Sequence, residues 1–120
     1  MILRSLLLIS FFYLSPIGIV LSDEIKLNHD EIKSYLHGKT VVHRPGGKTE
    51  FHQTFNTDGT TTYKAAGRNT EQGKWSIQGN QYCSQWRSFG WTCYNMTAEG
   101  NLITWIAKEG THFPGVIIEN

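Results

Sequence analysis

The residues of this chain best suited to chemistry crowd into one short stretch. Between Gly73 and Tyr94 lie both cysteines, Cys83 and Cys93, and three of the four tryptophans, Trp75, Trp86 and Trp91. Nine residues separate the cysteines. That spacing is neither a C-x-x-C redox motif nor a zinc-ligand pair, so the two cysteines read as a disulfide. Closing so short a loop is worth about 2–3 kcal/mol on chain-entropy grounds. A domain of this size has roughly 5–10 kcal/mol in total, so the bond is a sizeable share of its stability.

Other chemistries leave weaker traces. The five histidines, His29, His37, His43, His52 and His112, show no H-x-H or H-E-x-x-H spacing. They read as solvated surface groups, and no metal site is expected. A hairpin at Pro45-Gly46-Gly47 could bring His43 and His52 near each other. The basic stretch from His43 to Lys48 lacks phosphate-loop spacing and reads as a surface turn. There is no G-x-S-x-G elbow, no cysteine free to act as nucleophile and no paired acidic motif. Asp58 belongs to a turn, and Glu50, Glu71, Glu99 and Glu109 fall at strand ends or in loops. No catalytic residue is nominated, no cofactor is implied, and the chain reads as non-catalytic.

Two binding chemistries remain. Trp75, Tyr82, Trp86, Tyr94 and Trp105, with polar Ser84, Thr92 and Gln53, could line an apolar pocket holding a few orienting groups. The competing reading is that these aromatics fill the core, since each buries a large area. Arg87, Phe89 and Trp91 form a second group at a hairpin tip, residue types that anchor protein interfaces. A helix packed over Trp91 would cancel that patch.

The ends and the charge bound the setting. Met1 to Ser22 reads as a secretory signal peptide, with Arg4 as its positive region and an apolar run from Leu6 to Val20. Small residues at Val20 and Ser22 suit cleavage before Asp23. Interrupted by Pro16 and Gly18, the run is short for a membrane span, which needs about 20 apolar residues. Residues 23–120 then form a single domain, periplasmic or secreted, and no stable membrane insertion is expected after cleavage. Without Arg4 the basic and acidic residues balance at ten each, which argues against nucleic acid or an anionic membrane as the main partner. A monomer is expected.

These residues must be positioned by a small β-domain. Asn28 to Leu36 carries the one convincing helix signal: Asn28 as N-cap, Glu31 in capping-box position, Ile32, Tyr35 and Leu36 on one face, and Gly38 as the stop. After Lys39, turn signals at Pro45-Gly46-Gly47, Asp58-Gly59, Gly79-Asn80, Glu99-Gly100, Glu109-Gly110 and Pro114-Gly115 separate about eight short strands. That pattern predicts an antiparallel meander closed into a barrel or sandwich.

Register follows from placing apolar residues on one face. A three-residue loop with left-handed Gly59 pairs Phe55 with Thr61 and Gln53 with Tyr63. A turn at Gly79-Asn80 pairs Ile77 with Tyr82 and Trp75 with Ser84. Cys83 opposite Cys93 pairs Tyr82 with Tyr94 and Ser84 with Thr92. A turn at Glu99-Gly100 pairs Tyr94 with Trp105 and Met96 with Ile103. The last three choices agree and put the aromatics inside and the cysteines and Trp91 outside.

Gly38 to Val41, Asp58-Gly59, Gly73 to Trp75, Cys83 to Trp86 and Cys93-Tyr94 together resemble a family of small exported bacterial proteins, mostly proteobacterial, of unassigned function. The Gly-x-Trp to Cys-Tyr stretch is its more specific part. The resemblance implies a periplasmic or secreted, lipocalin-like or barrel-like domain, and it brings no catalytic residues. The reading is therefore an exported binding protein with a small apolar or aromatic ligand inside the sheet. The alternative is a protein–protein module, such as an inhibitor of a cell-wall hydrolase or host factor, working through residues 87–91.

Overall fold

A computed structural model describes residues 24–87 and 89–118. The segment read as a signal peptide lies outside the described residues. The elements run β1 (Ile25–Lys26), α1 (His29–Leu36), β2 (Thr40–His43), β3 (Phe51–Phe55), β4 (Thr60–Ala65), β5 (Glu71–Gln78), β6 (Gln81–Trp86), β7 (Thr92–Glu99), β8 (Leu102–Ile106) and β9 (His112–Ile118). From β2 to β9 every strand pairs antiparallel with its neighbour in sequence, and β9 returns to pair with β2. The result is a closed eight-stranded up-and-down barrel, which has no long free edge to expose.

One end of the barrel is plugged. Asn28 Oδ1 accepts the Glu31 amide at 2.9 Å, and Glu31 Oε1 accepts the Asn28 amide at 2.9 Å, so the expected capping box is formed. Eight residues are too few to hold a helix alone. Ile32 and Leu36, both fully buried, supply the missing stability by packing with Leu27 into the barrel core. The His29 amide donates to Asn80 Oδ1 at 2.9 Å and ties the helix start to the β5–β6 turn. β1 pairs with the far half of β7, beyond the stretch that β6 covers.

The core above the plug is aromatic. Phe55 is fully buried, edge-on to Trp75 at 5.6 Å and to Tyr82 at 5.8 Å, and stacked on Trp105 at 5.9 Å. Such pairs add about 0.5–1.5 kcal/mol each beyond their buried area.

Three of the four registers stand as expected. Phe55 pairs with Thr61, Ile77 with Tyr82 and Cys83 with Cys93, and the Cys83–Cys93 disulfide is formed. The fourth is corrected. Met96 pairs with Trp105 and Ala98 with Ile103, because the last pair is Glu99 with Leu102 around a turn at Gly100-Asn101. Gly100 has φ 62°, the left-handed geometry of a tight hairpin. The slip is of two residues, so every side chain keeps its face and the hydrophobic pattern cannot register it.

Candidate functional site: a cavity at the open end of the barrel

Opposite the helix the barrel is not filled. A cavity of about 710 Å³ opens there, within the size range of small-molecule sites. Its walls are the rings of Tyr63, Tyr82, Trp86, Tyr94, Trp105 and Phe113, and its polar groups are His43, Gln53 and Ser84. Over the rim it continues along Val42, Val116 and Leu102, which lie side by side on the outer face of β2, β9 and β8.

One glycine makes room for the lining. A Cβ at Gly73 would stand 2.7 Å from Trp86 Cε3, so the indole lies directly on the β5 backbone. Tyr63 meets the same indole edge-on at 6.0 Å. On the other wall Tyr94 meets Phe113 edge-on at 6.2 Å. Burial raises the phenol pKa of Tyr63 and of Tyr94, with Glu71 and Glu109 adding to the effect. Burial also pushes up the pKa of Tyr82. All three phenols therefore stay protonated at neutral pH.

The polar groups form one string across the barrel. His43 Nδ1 lies 3.2 Å from the Pro114 carbonyl oxygen, and Nε2 lies 3.1 Å from Gln53 Oε1. Gln53 Nε2 donates to Thr61 Oγ1 at 3.1 Å and to Tyr82 Oη at 3.5 Å. The Thr61 hydroxyl in turn donates to the Thr54 carbonyl at 3.0 Å. Burial lowers the pKa of His43, and its hydrogen bonds to Pro114 and Gln53 only partly oppose that. The indole N–H of Trp105, packed between the rings of His43, Phe55 and Tyr82, has no acceptor among the described residues.

Of the residues nominated from the sequence, Tyr82, Ser84, Trp86, Tyr94 and Trp105 line this cavity, as does Gln53. Trp75 does not. It is core beside the plug, and its indole N–H donates to the Asn56 carbonyl at 3.0 Å. Thr92 sits exposed at the start of β7 and is not a lining residue. Arg87, Phe89 and Trp91 lie on the loop between β6 and β7. Phe89 is 70% and Trp91 45% exposed, so the helix does not cover them. Arg87, at φ 52°, turns back to pair with Glu71 at 3.2 Å.

One histidine is corrected, while His29, His37, His52 and His112 are exposed. His43 is buried in the barrel wall rather than solvated, while His52 points outward to Glu50. The two therefore lie on opposite faces. His43 alternates in phase with inward Val41, and that phase is the signal for its burial. Phe113 and Gly115 complete the site from β9, whose register no hairpin with β2 could have supplied.

The fold is thus a disulfide-stapled antiparallel barrel, closed at one end and hollow at the other. The disulfide suits an oxidising, non-cytoplasmic compartment. No helix among the described residues is long and apolar enough to cross a membrane. Compared with known proteins, the chain matches no family model, no curated protein and no solved structure.

Proposed function

We propose that this chain is an exported, non-catalytic binding protein that holds a small aromatic or apolar ligand in the open end of its barrel. The observation that carries the reading is the contrast between the two ends. The helix end is packed solid with Leu27, Ile32, Leu36 and Met96. The other end leaves a cavity open between aromatic rings, part of a space of about 710 Å³ that continues over the rim. A core serving stability alone would close that space, because unfilled volume forfeits packing energy. Periplasmic or secreted placement rests on the signal-like residues 1–22 and agrees with the disulfide.

A second reading, a protein-binding hairpin tip, is favoured by the exposed pair Phe89 and Trp91. Native mass spectrometry of the protein taken from its own host separates the two. A discrete added mass of small-molecule size, lost in Trp86→Ala and Tyr94→Ala, is the expected result. Bare protein, or a complex with a second protein that survives those substitutions, overturns the cavity reading.

A further inference from the structure

The two ends of the barrel differ in charge as well as in packing. The connections at the open end, residues 44–50, 66–70, 87–91 and 107–111, carry Arg44, Lys48, Arg68, Arg87 and Lys108. The carboxylates there are Glu50, Glu71 and Glu109. Two of these are paired, Glu50 with Arg44 and His52, and Glu71 with Arg87. Lys48, Arg68 and Lys108 have no carboxylate partner among the described residues. Arg68 instead stands over the Phe51 ring at 5.8 Å. The helix end has the opposite balance: Asp30, Glu31, Asp58 and Glu99 outnumber Lys33 and Lys39. The near-neutral sum over the chain hides this division, because each end offsets the other.

Exposed rings follow the same division. Among the described residues the exposed phenylalanines and tryptophans are Phe89, Trp91 and Phe113, and all of them stand at the open end. Phe89 is the most exposed large apolar side chain described. Apolar rings beside unpaired cations suit a layered surface. Aromatic rings settle at the boundary between headgroups and acyl chains, while lysine and arginine meet anionic headgroups. A protein partner would need about 800 Å² of matching surface on this face, and the cavity mouth interrupts the face. A fluid bilayer accommodates such a mouth.

We infer that the open end docks on the surface of a lipid bilayer containing anionic lipids. Phe89 and Trp91 dip into the headgroup boundary, and Lys48, Arg68 and Lys108 lie against the phosphates. The docking is peripheral, and it does not depend on what the cavity holds. Docked this way, the mouth faces the lipid.

Vesicle flotation of the oxidised protein, taken from its own host, tests the inference. The probes are vesicles of phosphatidylcholine alone, and of phosphatidylcholine with an equal part of phosphatidylglycerol. Binding should be at least about tenfold tighter to the anionic vesicles. Raising NaCl to about 1 M, where the Debye length is about 3 Å, should remove that preference. Phe89→Ser with Trp91→Ser should weaken binding at least about tenfold. Arg68→Glu with Lys108→Glu should lose the preference for anionic vesicles. Both double variants should keep the parent's melting temperature, and Lys33→Glu at the helix end should bind like the parent. Equal binding to the two vesicles, full binding by the Phe89 and Trp91 variant, or an equal loss in Lys33→Glu overturns the inference. So does absence from both vesicle fractions, and a complex with a second protein that needs Phe89 and Trp91 would then assign the face to that partner.

Discussion

The imidazole of His43 packs close against Gly115: a Cβ at position 115 would stand 3.0 Å from both Cε1 and Nδ1 of the ring, and 2.5 Å from Val41 Cγ1. Glycine inside a strand ordinarily weakens it, and its use there marks a close approach. The approach here lets His43 reach the Pro114 carbonyl across the β2–β9 seam. Gly115→Ala is expected to destabilise the fold by about 1–3 kcal/mol through overpacking. Urea unfolding of the variant beside the parent checks this; an unchanged midpoint refutes the contact.

Stability should also depend on pH through the same residue. Burial holds the pKa of His43 below its ordinary value of 6.5. Between the two values the unfolded chain binds the proton and the folded one does not, so unfolding gains. The contribution is therefore present in full above about 6.5, and it is lost as pH falls through the lower folded value. Thermal unfolding of the ligand-free protein from pH 7.5 to pH 5 should show this loss. His43→Gln should show a shallower slope.

Reduction of Cys83–Cys93 gives a third expectation. The bond joins β6 and β7 in the stretch where only three residue pairs hold them together. Breaking it should cost about 2–3 kcal/mol, which lowers the melting temperature of a domain this size by roughly 10–20 °C. Calorimetry with and without reductant measures the difference, and equal melting temperatures would count against a structural role for the bond.

Local rules carried much of this architecture. Asn28 and Glu31 announce the helix start because a capping box is contained in four consecutive residues. Phe55 opposite Thr61 and Ile77 opposite Tyr82 follow from turn chemistry, with alternation confirming the face. The Met96–Trp105 register escaped because a two-residue slip leaves alternation intact. His43 escaped for a different reason. Its burial depends on Gly115 and Pro114, brought to it by a pairing between the first and last barrel strands. No turn joins those strands, so nothing local sets their register. The hollow itself is likewise a global property: whether Trp86 and Tyr94 fill space or border it depends on how many strands close the circle and where the helix sits.

The seam between β2 and β9 bears on the order of events as the chain folds. His43 and Pro114 are 71 positions apart in sequence, and their contact is among the last that a hairpin-by-hairpin assembly could make. Non-local closures of this kind are slow, because chain entropy must be spent before any contact rewards it. The cavity at the open end is not complete until that seam has closed. A ligand of the proposed kind would then meet only the finished barrel, and its binding energy would go wholly to that state. Empty and occupied forms should therefore differ most in how fast they come apart, and an occupied barrel would outlast an empty one in the presence of proteases.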